Sequence, residues 1–265
     1  MFQPISRKLF ASEVFEQLKQ RIVDGEALPG STLPAERTLA TMLNVNRNAV
    51  REGLKRLEQA GLVSIRQGGF TQVLDYRRSA GLALLPSLLV RRDGTLDTAV
   101  IRSIVELRSD LSPVVARLAA ERRSDTEQLV LDRTVGAMRA AKERGDDLSV
   151  LARLALEFWS AMVGATKNIA LELAFNSLAA TYGSVIDQMK HIMADEVTAT
   201  DDYARLAAAV GAQRSQEAIT TARRIAGRGA SAVLGVLDAV ERATDQKGST
   251  HGRHHQRRPR PRNKG

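Results

Sequence analysis

Two guanidinium groups four residues apart, Arg47 and Arg51, with Asn48 beside the first, stand in the stretch NVNRNAVREGLKRL at residues 44–57. At about 100° per residue, Arg47, Asn48, Arg51 and Lys55 share one arc of a helix, and Val50, Leu54 and Leu57 share the opposite one. One face wants a core; the other wants an anion or a hydrogen-bonding edge. The fork of an arginine matches guanine O6 and N7 in a major groove about 12 Å wide, with roughly 1–3 kcal/mol of discrimination per good bidentate pair. Asn48 can pair with adenine or with a phosphate, and the free amides at a helix start can hold a phosphate too. Taken alone, such a helix reads as an ordinary solvated one. Its neighbours reverse that reading.

Upstream, Val14, Leu18 and Ile22 lie at helical spacing, with Gly25 after them as a stop. The connection ALPGSTLP leads to a second short helix, opened by Pro34 at a first-turn position and Glu36 near the positive dipole end, and carried through Leu39 and Leu43. Asn44 to Asn46 make a turn, and Asn46 caps the third helix, which runs to about Gln59 before Gly61. LVSI and FTQVL then read as a hairpin across RQGG, with Gly68 and Gly69 at the tip. Three helices followed by a hairpin describe a winged helix-turn-helix. Arg37, early in the second helix, can grip a phosphate backbone or pair with a carboxylate such as Glu52. At the wing, Gln67 and Gly68 can enter a minor groove or simply close a tight turn.

Charge supports a division of labour. Residues 1–78 carry 12 Lys/Arg against 8 Asp/Glu, residues 79–245 carry 20 against 22, and residues 246–265 carry 7 against none, within a formal net charge of +9 over 265 residues. A basic N-terminal segment beside a near-neutral body fits polyanion contact by the former. From about residue 79 the pattern is helical throughout, with helices expected near 80–90, 98–123, 126–144, 149–165, 169–194, 201–212 and 215–243. The fold class expected is mostly α: a winged helix-turn-helix at 1–78, an all-α bundle of six or seven helices at 79–245, and a basic tail at 246–265 expected to be disordered. That tail reads as a solubilising end or as extra non-specific phosphate contact, and its HGRHHQ cluster can pick up metal adventitiously.

The chain has no cysteine, which excludes disulfides, thiolate nucleophiles and Cys-ligated zinc and suits a reducing cytoplasm. Neither the N-terminus nor the run SAGLALLPSLLV, interrupted by Pro86, suggests a signal or a membrane span, so a cytoplasmic protein without membrane association is expected. Without a Gly-rich phosphate loop, a His pair or a strand core, an enzyme is not expected, and no cofactor is implied.

The segment LPAERTLATMLNVNRNAVREGLKRLEQAGLVSIRQGG resembles the DNA-binding domain of the GntR family of bacterial transcription regulators, over about residues 10–75. The helical remainder is similar to the FadR subfamily, through SAGLALLPSLL, IVELRSDLSPVVARLA and FWSAMVGATKNIALEL. The resemblance implies that Arg37, Arg47, Asn48, Arg51, Gln67 and Gly68 occupy DNA-contacting positions, with Asn46 and Ala49 among them. It also implies a homodimer on a palindromic double-stranded operator, answering to a small-molecule effector. Many members of the subfamily hold a metal with an Asp-x-x-x-His pair on one helix plus two later histidines. Here the first two positions are Ala155 and Trp159, and only His191 precedes the tail, so no metal is expected. Loss of the metal is shared with a fatty acyl-CoA-binding branch, which implies an acyl-CoA or similar hydrophobic or anionic effector. Phe158, Trp159, Phe175 and Tyr182 are the candidate lining, with Arg108 for an anionic headgroup, for relaying strain, or for a plain ion pair. The competing readings are an effector from another metabolite pathway and an architectural DNA-binding protein that relies on the tail.

Overall fold

The computed structural model describes residues 8–66, 70–91 and 93–252, with side chains inside 10–243. It divides into two compact units, Met1–Asp97 and Thr98–Gly265.

In the first unit, α1 (Lys8–Val23), α2 (Glu36–Met42) and α3 (Arg47–Gln59) precede strands β1 (Val63–Ile65) and β2 (Thr71–Val73). The strands pair antiparallel, Val63 opposite Val73 and Ile65 opposite Thr71. The connection after α1 runs along the other edge of β2, where the Leu33 amide donates to Thr71 O and the Val73 amide to Ser31 O, both at 2.8 Å. The expected stripes supply the core: Val14, Leu18 and Ile22 from α1, Leu39 from α2, Val50, Leu54 and Leu57 from α3, and Val63 and Val73 from the strands. Packing of α1 on α3 is close enough to require Gly53, where a Cβ would stand 2.6 Å from Val14 Cγ1. Pro34 lies outside α2 rather than in its first turn, because Ala35, with an extended ψ of 150°, is the residue that leads into the helix.

The boundary expected at residue 78 falls at Asp97 instead. Helix α4 (Tyr76–Ser79), a 3₁₀ turn at Leu82–Leu84 and α5 (Leu85–Leu89) fold back onto the first unit, whose core includes Leu84 with Tyr76, Ala80 and Leu88 packed against it. The Ser79 hydroxyl fastens this segment by donating to Gly61 O at 2.6 Å.

The second unit is α6 (Thr98–Arg122), α7 (Asp125–Arg144), α8 (Leu148–Gly164), α9 (Ile169–Gly183), α10 (Ile186–Met189), α11 (Ala194–Val197), α12 (Thr200–Gly211) and α13 (Ser215–Gly252). Helix α6 packs along α13, α7 on α8 and α12, and α12 on α13. Local chemistry sets the ends: Ser124 and Glu127 form a reciprocal capping box on α7, Gly145 closes it at φ +70°, and Asp147 and Asn168 cap α8 and α9. The single helix expected over 169–194 is broken into α9 and α10, with α11 beginning at Ala194. At the break the Ser184 hydroxyl takes Thr181 O at 2.7 Å, satisfying a carbonyl that a continuing helix would have used. The tail expected to be disordered from residue 246 carries helix through Gly252, and residues 253–265 lie outside the described residues. Among the described residues no helix is long and apolar enough to cross a membrane.

Candidate nucleic-acid interface and interior polar cluster

The exposed edge of α3 is prepared by its cap. Asn44 takes the left-handed conformation, φ +50°, which turns the chain sharply out of α2. Asn46 then adopts an extended backbone, and its side-chain oxygen accepts from the Ala49 amide at 2.9 Å. With Ala49, Val50, Gly53, Leu54 and Leu57 buried, rotation about the helix leaves Arg47, Asn48, Arg51 and Lys55 in solvent. Arg51 reaches Glu36 of α2 at 3.4 Å, with its side chain 58% exposed; such a pair contributes little to stability and opens readily. Arg37 and Arg47 are exposed and have no acidic partner among the described residues. Glu52, a partner considered for Arg37, sits 3.4 Å from Lys55 instead.

Ala49 is corrected by the structure. It is only 6% exposed, because it lies one turn before Gly53 on the face that packs against α1, so its methyl group belongs to the core and not to a base edge. Asn46 stays exposed, but its acceptor is committed to the helix start. Gln67 and Gly68 lie outside the described residues; before and after that stretch, the Arg66 amide donates to Phe70 O at 2.9 Å.

In the second unit, four of the five expected effector-site residues come together. The Phe158 ring meets Trp159 edge-on at 6.2 Å and Tyr203 edge-on at 5.0 Å. Arg108, from α6, is ion-paired with Glu196 of α11, whose side chain is 3% exposed. The Tyr203 hydroxyl donates to the same carboxylate oxygen at 3.4 Å. Tyr182 lies within electrostatic reach of both Glu196 and Arg108. Phe175 stands apart: it is half-buried two turns back along α9, on the order of 10 Å away, and shares no ring contact with these aromatics among the described residues.

Arg108 therefore does not offer a spare charge to an anionic headgroup; Glu196 already neutralises it. Sequence reasoning missed Glu196 and Tyr203. The available signal was the need of a partly buried arginine for a carboxylate, but DEVTATD reads as a polar break between helices. Gly229 of α13 makes the pairing possible, since a Cβ there would overlap Glu196 Oε2 and stand 2.6 Å from Met193 Cε.

Burial opposes the charge on Arg108, but the adjacent Glu196 carboxylate outweighs it and raises the guanidinium pKa. Burial raises the Glu196 carboxyl above its ordinary range, against the pull of Arg108 and Tyr203. Tyr182 is pushed up to about 12, chiefly by burial and then by Glu196. At this cluster the Trp159 indole N–H engages the Tyr203 hydroxyl and the Gly229 amide engages the Glu196 carboxylate, whereas the Tyr182 hydroxyl lacks a hydrogen-bond partner among the described residues. Such an orphan costs about 1–3 kcal/mol. The donor set does not fit the subfamily's metal: Ala155 and Trp159 hold its first two positions, His191 is exposed, and no group of three or more His, Asp or Glu among the described residues could hold an ion.

Residues 10–73 match the family described as "Bacterial regulatory proteins, gntR family" and residues 103–228 match the FCD domain. The HTH-type transcriptional regulator Mce2R of Mycobacterium tuberculosis is 43% identical over 209 residues, covering 78% of this chain and 85% of that protein. A fatty acid metabolism regulator protein of Klebsiella pneumoniae is 30% identical over 175 residues, covering 66% of this chain and 65% of the relative. Among solved structures, that of Listeria monocytogenes Lar superposes with a TM-score of 0.56 at 14% identity, over 88% of this chain and 98% of Lar, a likeness of fold. The chain is a member of the GntR family of bacterial transcriptional regulators, of the FadR type that joins the DNA-binding domain to an FCD effector domain.

Proposed function

We propose that this regulator works as a homodimer on a palindromic operator, with α3 of each copy in a major groove and an acyl-chain metabolite of the acyl-CoA kind as its effector. The observation that carries the reading is the solvent edge of α3, where Arg47, Asn48 and Arg51 project from a helix whose other face is committed to the core. Arg47 and Arg51 supply forks for guanine, and Asn48 supplies a partner for adenine or phosphate. Arg37, at the start of α2, is exposed and grips the backbone, which positions the helix without reading sequence. Gln67 and Gly68 of the wing take the adjoining groove. Such a protein acts in the cytoplasm, where the duplex is.

The acyl-chain effector is supported by the likeness to a regulator named for fatty acid metabolism and by the buried aromatic rings of Phe158, Trp159 and Tyr203 in the helical unit. Effector binding among Trp159, Tyr182 and Arg108 shifts the helical unit toward a geometry that weakens the grip on DNA. Coupling of about 1–3 kcal/mol corresponds to roughly 5–150-fold in operator affinity. A mobility-shift titration tests this: operator affinity should fall as an acyl-CoA is added. An unchanged affinity removes the lipid effector and leaves the regulator standing.

A further inference from the structure

We propose that the outer face of α9 is a self-complementary seam on which a second copy of this chain docks antiparallel, about a two-fold axis at Asn176. The inference rests on the homodimer reading above and names the surface that joins the copies.

Helix α9 is apolar nearly all round, yet Thr181 is its one buried residue. Its inner side, with Leu171, Ala174, Phe175, Leu178 and Tyr182, is half-buried, chiefly against α8. On the outer side Ile169, Leu173, Asn176, Ala180 and Gly183 recur at steps of four and three, within about 40° of one line along the helix. All five are exposed, Ile169 by 67% and Leu173 by 62%, and a Cβ on Gly183 would meet no atom within 4 Å. The one charged residue of the helix, Glu172, lies off this line. In a chain that is 26% charged, a solvated helix face ordinarily carries lysine or glutamate. An unbroken uncharged stripe at coiled-coil spacing wants a partner helix instead.

The order of side chains along the stripe selects that partner. Bulk stands at one end, Ile169 and Leu173, and small residues at the other, Ala180 and Gly183, with Asn176 midway. Turned end for end about Asn176, a second copy sets Ile169 opposite Gly183, each seven residues from the centre, and Leu173 beside Ala180. Knobs then meet holes at every level. The two Asn176 amides, each a donor and an acceptor, pair across the axis and hold the register, as a lone buried asparagine does in a coiled coil. The two Glu172 carboxylates stay about 12 Å apart along the helices. A parallel copy would stack Ile169 on Ile169, leave a gap at Gly183 and bring Glu172 level with its twin.

The seam is short. At 15 residues, α9 is about 22 Å long and about 10 Å wide, so it covers roughly 200 Å² in projection, well under the roughly 800 Å² a side of a standard stable interface. On its own it gives a dimer of micromolar strength. An isologous contact has the symmetry of a palindromic duplex, and two half-sites supply the effective concentration that completes it.

The chain has no cysteine, so single cysteines report on the seam without background. In the full-length protein at micromolar concentration, Asn176→Cys should form a covalent dimer on mild oxidation, read on a non-reducing gel, because the axis brings that position within the roughly 7 Å between Cα atoms that a disulfide spans. Ile169→Cys alone should not link, its two copies standing about 20 Å apart, whereas an equal mixture of Ile169→Cys and Gly183→Cys should. Leu173 is exposed in the single chain, so Leu173→Glu leaves the fold intact. It should cut linking through Asn176→Cys at least about tenfold by removing two buried leucines per dimer.

Absence of a link at Asn176→Cys overturns the proposal, and self-linking of Ile169→Cys overturns it in favour of a parallel pair. Sedimentation of the unaltered chain on a duplex recovered by selection from random sequence separates the two levels. Two copies on the duplex without a link at Asn176→Cys sink this inference alone, whereas a single copy on the duplex sinks the homodimer reading with it.

Discussion

Replacing Gly229 with alanine is the sharpest structural test of the buried pair, because intrinsic propensity and packing pull in opposite directions. Gly229 lies inside α13, where alanine is ordinarily favoured by about 1 kcal/mol. Against this, the new Cβ would overlap Glu196 Oε2 and stand 3.1 Å from Glu196 Cδ and 2.6 Å from Met193 Cε. The methionine end can rotate away at little cost. The carboxylate cannot, being fixed by Arg108 and Tyr203. Overpacking costs about 1–3 kcal/mol, and displacing Glu196 from its partner adds part of the 3–5 kcal/mol typical of a severed buried pair. A net loss of about 2–4 kcal/mol is expected, or roughly 5–15 °C in the melting temperature of a unit this size. The assay is thermal unfolding followed by circular dichroism. In a Glu196→Ala background the same glycine substitution should become neutral or stabilising, since the obstructing oxygen has gone, and the double-mutant cycle reads that coupling directly. Should Gly229→Ala melt at or above the unaltered protein with Glu196 present, the seating of that carboxylate on α13 is wrong.

Other perturbations follow from the same geometry. Asn46→Ala should lower the stability of the DNA-binding unit by about 1 kcal/mol through loss of the cap on α3, measured by urea denaturation, whereas Asn46→Asp keeps the cap but sets a negative charge beside Arg47 and should weaken operator binding. Gly53→Ala should destabilise the same unit by about 1–3 kcal/mol, since its Cβ would press on Val14 of α1; an unchanged denaturation midpoint would contradict the close approach of α1 and α3. Tyr182 has a folded pKa raised to about 12 from an ordinary 10.0. Its contribution is therefore complete below pH 10 and lost as pH rises toward 12. Unfolding free energy should fall over that interval more steeply in the unaltered protein than in Tyr182→Phe.

Where the signals were local, the sequence was readable. Asn46 as a cap, the Val50, Leu54 and Leu57 stripe, and the stop before Gly61 placed α3 residue by residue, because capping and periodicity act within a few positions. Arg47, Asn48 and Arg51 followed from that placement by rotation about the helix axis. Ala49 did not: a small residue at the border of two faces gives no polarity signal, and only the approach of α1 buries it. The run around Leu84 and Leu88 was equally opaque, since an apolar segment broken by Pro86 does not say which unit it will pack against. Gly183 and Ser184 fit a helical pattern, so the break after α9 depended on a side-chain hydrogen bond that periodicity does not encode. The pairing of Arg108 with Glu196 spans 88 residues of sequence, and nothing short of the folded bundle connects them.

Operator selectivity rests on the arginine edge of α3 reading bases. Its most direct test is the double variant Arg47→Ala/Arg51→Ala, checked for an unchanged circular dichroism spectrum and compared with the unaltered protein on a duplex recovered by selection from random sequence and on a scrambled duplex at one salt concentration. Selectivity should collapse toward the scrambled-duplex value while residual salt-dependent binding persists. Undiminished discrimination between the two duplexes by the double variant would contradict it.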